Sequence, residues 1–221
     1  MHWTVRRVYA RDFAASSPES DMSSTSLEKT TVARWITEVF TPGVLVAGLL
    51  LLVAWHSSDT ALQAVAYGLV ATAAASVLPV LYILRGVRKG KLSDKHVVVH
   101  SQRRVPLLVI LLSTALGTAA LALAGAPREL LALIASMVAA LLVAVPVTVF
   151  ARWGISLHAL VAAGAVAALT VIYGPAVTPA WLLVVAVGWA RVRLKEHTLA
   201  QVLAGAAVGA AATGILFPLL S

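Results

Sequence analysis

Ala190-Arg191-Val192-Arg193-Leu194-Lys195-Glu196-His197-Thr198-Leu199-Ala200-Gln201-Val202-Leu203-Ala204-Gly205 is a polar island between two apolar runs. The chain around it is 60% hydrophobic, so a cluster of Arg, Lys, Glu and His marks a place where two membrane-length segments meet at an aqueous edge. Within it, Arg191, His197 and Gln201 are spaced by six and four residues. Two more islands lie upstream, Ser156-Leu157-His158 and a basic loop that ends in Arg103-Arg104. Each island carries an Arg or a His, side chains suited to holding anions and moving protons.

The composition excludes a soluble globular domain. Only 12% of the 221 residues are charged, against about 25% in such domains, and the mean hydropathy is +0.92. Ala, Leu, Val and Gly recur without period-two alternation. That pattern predicts helices, which satisfy their backbone internally in lipid, and argues against a barrel. The expected fold is therefore all-α, a polytopic transmembrane bundle of about six to seven spans. There is no cysteine, which excludes disulfides and thiol chemistry. Residues 1–34 are polar and rich in Ser, Thr and charge, and are expected to be a disordered leader, with 35–221 as the membrane domain. The first apolar run begins near Val44, too late for a cleavable signal, and Met22 is an alternative start.

Seven apolar segments are legible, at 36–56, 61–84, 105–125, 129–150, 157–174, 178–190 and 198–219. The sixth is short and begins between Pro175 and Pro179. The connections alternate in charge. The leader, the loop 85–104, Arg152 and the run Arg191 to Lys195 are basic, whereas residues 57–60, Pro127-Arg128-Glu129, Gly174-Pro175 and Ser221 are nearly neutral. The positive-inside bias places the basic set and the N-terminus in the cytoplasm, and the C-terminus outside, of a multi-pass cell-membrane protein. Trp35, Trp55, Trp153 and Trp181 fall near segment ends and read as interface anchors. Gly205 and Gly209 form a small-xxx-small face expected to pack within the bundle.

This topology puts the three polar islands on one face. Arg offers a planar fork of donors for phosphate, a neutral His can attack phosphorus, and a second can protonate a leaving oxygen. Helix starts near His158 and Thr198 would add partial positive charge. Of the nine acids, only Asp94 and Glu196 lie in the loops of the proposed site, and there is no Asp-rich motif for a magnesium–diphosphate centre. His96 and His100 have ligand-like spacing but no accompanying acid motif. The inventory fits phosphoryl chemistry that needs no metal or other cofactor.

The three islands resemble the signature motifs of the type 2 phosphatidic acid phosphatase superfamily, which includes the vanadium haloperoxidases. Arg191, His197 and Gln201 match its third motif in spacing. Ile155-Ser156-Leu157-His158 corresponds to the second motif, Pro-Ser-Gly-His. Lys95 with Arg103, or with Arg104 and Pro106, is the nearest fit to the first. The resemblance covers residues of about 85 to 215 and implies a phosphohistidine mechanism. In it His197 is the nucleophile and His158 the proton donor to the leaving group. Arg191, Arg103 or Arg104, and Lys95 hold the phosphate oxygens, with Ser156 as a further donor. The implied partners are a lipid phosphate or polyprenyl (isoprenoid) diphosphate substrate and membrane lipids. No nucleic acid is implied, and nothing in the pattern sets an oligomeric state.

The chain departs from the family at three places. Gln201 stands where the family has Asp, Leu157 where it has Gly, and Ala190 where it has Ser. Gln can accept a hydrogen bond from an imidazole N–H and keep its tautomer, but it adds no negative charge, so reduced turnover is expected. Thr198-Leu199-Ala200-Gln201 also fits a capping box, a purely structural use of the same amide. Arg193 and Lys195 read as snorkelling cations. The alternative function is a catalytically impaired relative that binds an anionic lipid or a partner. A transporter has less support, because no acid lies deep within a span.

Overall fold

The computed structural model describes residues 18–93, 104–151 and 153–221, with side chains from residue 28 onward. Lys95, Arg103, His96, His100 and Arg152 lie outside these. All regular structure among the described residues is helical. Helix α1 (Pro18–Val39) leads into α2 (Pro42–Ser57), α3 (Ala61–Thr72), α4 (Leu78–Arg88), α5 (Arg104–Leu123), α6 (Arg128–Val149), α7 (Leu157–Tyr173), α8 (Trp181–Arg193) and α9 (Leu199–Leu220). Many large apolar side chains face outward, Leu62, Leu116 and Leu182 among them, and Leu123 is 91% exposed. Such a surface suits lipid and not water.

Five helical stretches are long and apolar enough to span a membrane, or six if the end of α1 and α2 form one bent span. The sequence reading expected six to seven spans. The difference lies in the sixth segment. Residues Gly174–Ala180 form a 3-10 turn and α8 has only 13 residues, so 157–193 counts as one stretch of 37 residues. The stretch doubles back at Gly174, whose φ of 71° ends α7. As a result His158, at the start of α7, and Arg191, at the end of α8, line the same cavity. The second half of the expected leader also differs. Residues 18–34 belong to α1, which packs on α8, with Ala33 and Thr37 buried.

Two breaks shape the bundle. Thr41 Oγ1 accepts from Val44 N–H (3.3 Å) and Pro42 opens α2, so α1 stops and the path bends by 42°. In the second segment, α3 and α4 are joined by a π-turn at Ala73–Val77, where Leu78 N–H reaches back to Ala73 O. Pro79 follows directly. A proline ring there would press on the carbonyl four residues earlier, and the widened turn relieves that clash. Gly117 of α5 passes this turn so closely that a Cβ on it would lie 2.2 Å from the Ala74 methyl.

The larger of two core clusters lies away from the polar islands; a smaller one, with Ile155 and Leu160, packs beside them. Leu50, Val53, Leu130, Leu133, Ile134 and Phe217 pack in the larger one from α2, α6 and α9. The same end is tied by Arg128 Nε–H donating to Leu220 O (3.0 Å), and by an edge-on contact of His56 with Tyr173 at 5.7 Å between ring centres. The tightest packing is α7 on α9. A Cβ on Gly205 would lie 2.4 Å from Ser156 O, and one on Gly209 would lie 2.0 Å from Leu160 O. These small residues let two backbones touch, as their spacing suggested.

Gly209→Ala is therefore expected to cost about 1–3 kcal/mol by overpacking, read as a lower melting temperature in detergent. Gly214→Ala has open space around the added methyl and a helical backbone that favours Ala, so it should not lower stability.

Candidate functional site

The turn after α8 builds the third island. Glu196 N–H bonds Arg191 O (3.1 Å) and Lys195 N–H bonds Val192 O (3.0 Å), the pattern of a Schellman cap. Lys195 occupies the left-handed position with φ 57°, where Gly is usual, at a cost of about 1 kcal/mol. His197 N–H also reaches Arg191 O (3.3 Å). The six-residue spacing from Arg191 to His197 is thus the length of one cap that folds the chain back under α8.

Arg191 is 1% exposed and pairs with the Glu196 carboxylate through Nη2. Sequence reasoning noted Glu196 only as an acid near the site. Its partner became legible once the cap turned the carboxylate back beneath the guanidinium. The pair keeps a full positive charge inside a bundle whose walls offer little solvation, which an unpaired Arg could not do. The C-terminus of α8 adds negative partial charge next to Arg191 and Arg193.

Gln201 serves both roles considered for it. Thr198 N–H donates to Gln201 Oε1 (3.0 Å), and Gln201 N–H donates to Thr198 Oγ1 (3.3 Å), which closes the capping box of α9. The backbone donor identifies the oxygen of the amide, because only Oε1 can accept. The same oxygen lies 3.2 Å from His197 Nδ1. Nδ1 must then carry the proton, and the lone pair of a neutral His197 sits on Nε2. The helix cap thereby sets the tautomer of the imidazole.

Ser156 ties the second island to the third. Its N–H donates to Gln201 O (3.1 Å), and its Oγ accepts from Ala159 N–H (3.5 Å) at the start of α7. The side chain is fully buried and caps α7, and it is not among the residues that line the cavity. His158, two residues on, is buried and does line the cavity. Arg104 is exposed at the start of α5 and is also absent from the cavity wall.

One cavity of about 270 Å³ gathers His158, His197 and Arg191. Glu38, at the end of α1, lines it as well and had not been singled out by the motif spacing. From this polar end the wall becomes apolar, through Leu157 and Leu160 to Met137 and Leu133. Thr148 and Leu133 of α6 both face it, which gives the cavity a length of roughly 20 Å at 1.5 Å per residue. Both α7 and α9 start at the polar end, so their N-terminal dipoles favour an anion there. The arrangement suits an amphiphile with an anionic head among the imidazoles and a tail among the Leu and Met side chains.

Compared with protein-family models, curated proteins and solved structures, the chain matches none.

Removing one member of the ion pair should be worse than removing both. Glu196→Gln leaves a buried guanidinium without its counter-charge. Glu196 is partly exposed, so the expected loss is at the low end for such pairs, about 3 kcal/mol. The double variant Arg191→Met/Glu196→Gln should recover part of it. Thermal unfolding of wild type, both single variants and the double variant in detergent measures the difference.

Proposed function

We propose that this protein is an integral-membrane lipid phosphatase with a type 2 phosphatidic acid phosphatase-like core. The observation that carries the reading is the single cavity in which two imidazoles and a buried guanidinium, from three different elements, meet at the head of an apolar channel.

The chemistry follows from the tautomer. His197 Nε2 donates its lone pair to phosphorus while Nδ1–H stays bonded to Gln201 Oε1. The P–O bond to the lipid breaks, and His158 in its protonated form gives the leaving oxygen its proton. Water then attacks the phosphohistidine and gives its proton to the now neutral His158, the P–N bond breaks, and inorganic phosphate leaves with His197 and protonated His158 restored. Arg191 and the two helix N-termini stabilise the charge that builds on the phosphoryl oxygens. Lys95, Arg103 and Arg104 belong to the basic loop that would meet the head group at the same face. A lipid phosphate or isoprenoid diphosphate is the substrate class, since the cavity offers both a polar end and an apolar run.

A second reading has its own support. Gln201 supplies no negative charge to an imidazolium at His197, and Arg191 is already paired with Glu196. Both features weaken transition-state stabilisation, and they fit a protein that binds anionic lipid with little or no turnover.

Phosphate release from farnesyl diphosphate and phosphatidic acid, measured on detergent-purified protein with chelator present, separates the two. Release is expected from wild type and should fall to background in His197→Ala and His158→Ala. Turnover that survives His197→Ala would refute the phosphohistidine route, and binding without any release would favour the second reading. Gln201→Glu keeps the capping box and adds the missing charge, so it should raise turnover by roughly tenfold or more. By the positive-inside bias, the basic loops and the site beside them are proposed to face the cytoplasm. Reporter fusions at residues 95 and 221 should accordingly report inside and outside.

A further inference from the structure

A second concavity lies between the end of α4 and the start of α5, with a volume of about 510 Å³. Arg85, Lys89 and Lys91 line it together with Tyr82, Val105 and Pro106. No carboxylate is among its lining residues within the described part of the chain. Arg85 and Lys89 share one helix face at i, i+4, where like charges repel. Lys91 follows the helix and is brought back by the turn. Lys91 N–H bonds Gly86 O (2.9 Å), Gly90 N–H bonds Val87 O (2.9 Å), and Gly90 takes φ 66°. Leu92 then seats on Gly86, where a Cβ would lie 2.7 Å from its Cδ1. A helix dipole favours cations in the last turn, which accounts for Arg85 and Lys89. It does not account for a third cation folded back onto the same hollow.

We propose that this pocket is a non-catalytic site for the phosphate of an anionic phospholipid. Three converging cations repel one another until a phosphate neutralises them, and the ordered cap holds them in place without one. A lipid, and not free phosphate, is the occupant because the flanks are apolar and outward-facing. Val105 lines the pocket and is exposed, and Leu81 of α4 and Leu108 of α5 are exposed on the same two helices. Acyl chains lie along that face while the headgroup sits among the cations. Pro106 forms part of both this pocket and the cavity that holds His158 and His197. The bound lipid therefore rests against the wall of the cavity and outside it.

Native mass spectrometry of the full chain, in detergent doped with phosphatidylglycerol or phosphatidylcholine of matched acyl chains, tests the site. Phosphatidylglycerol should be retained over phosphatidylcholine. Each cation near the surface contributes roughly fivefold, so Arg85→Gln/Lys89→Gln/Lys91→Gln should weaken retention by about 100-fold. Lys89→Arg/Lys91→Arg should retain the lipid, as should Arg34→Gln/Arg128→Gln, which removes two cations elsewhere. Equal retention of the two lipids, or a triple variant that binds like wild type, overturns the proposal. So does displacement of the lipid by inorganic phosphate at equal concentration, which would make this a plain phosphate site. Loss of retention in His197→Ala would place the lipid in the cavity that holds His158 and His197 and overturn it as well.

Discussion

The close contact of α7 and α9 is the constraint on which the rest depends. His158 stands at the start of one helix and His197 just before the start of the other. Glycines at 205 and 209 let α9 lie against the carbonyls of Ser156 and Leu160, and the Ser156 N–H to Gln201 O bond closes the top of the pair. In lipid there is no hydrophobic force to push helices together, so this packing must come from close van der Waals approach and backbone hydrogen bonds. A bulky residue at either glycine would open the interface and carry the two imidazoles apart. A packing motif thus doubles as the device that assembles the site.

Charge is managed by the same economy of means. Arg191 is buried in a bundle with few polar groups, and the turn that follows α8 returns Glu196 to it. The next residue, His197, is held by an amide that is itself part of a helix cap. From the end of α8 to the first turn of α9, Arg191 with Glu196, His197 with Gln201 and Thr198 with Gln201 are all pairs within one loop. Such a loop can hold its shape at the edge of a bilayer, where water is scarce and unsatisfied polar groups are costly. Short-range bonding makes the loop stiff, and the stiffness fixes the direction of the His197 lone pair.

Legibility in the sequence followed the range of the interactions. The apolar segments were readable because each is a local run of composition, and all seven reappear as helical elements. The capping box was readable for the same reason, since Thr198 and Gln201 are three residues apart. The small-xxx-small face of α9 was visible, but its partner α7 was not, because a helix face does not name what it packs against. The pairing of Arg191 with Glu196 was missed: on paper the two are five apart, and only a left-handed residue at Lys195 folds them together. Glu38 was missed because α1 and the second island are distant in sequence. The N-cap use of Ser156 at the start of α7 is local, three residues to Ala159, and adds to the reading of this residue from its motif. Residues 18–34 looked like a solvated leader by composition, yet the later part of α1 packs on α8, a long-range contact that local polarity does not reveal.

By itself the sequence determined that this is a helical membrane protein with its cations gathered in alternate connections. Those properties rest on composition and on periodicity within single segments, where each residue contributes independently of the fold. Only the tertiary structure decided that His158, His197 and Arg191 share one cavity and that the cavity continues as an apolar channel. The physical reason is that these facts depend on the distance between helices. In a membrane that distance is set by the shape of small residues in contact, and not by the hydrophobicity that makes the helices visible.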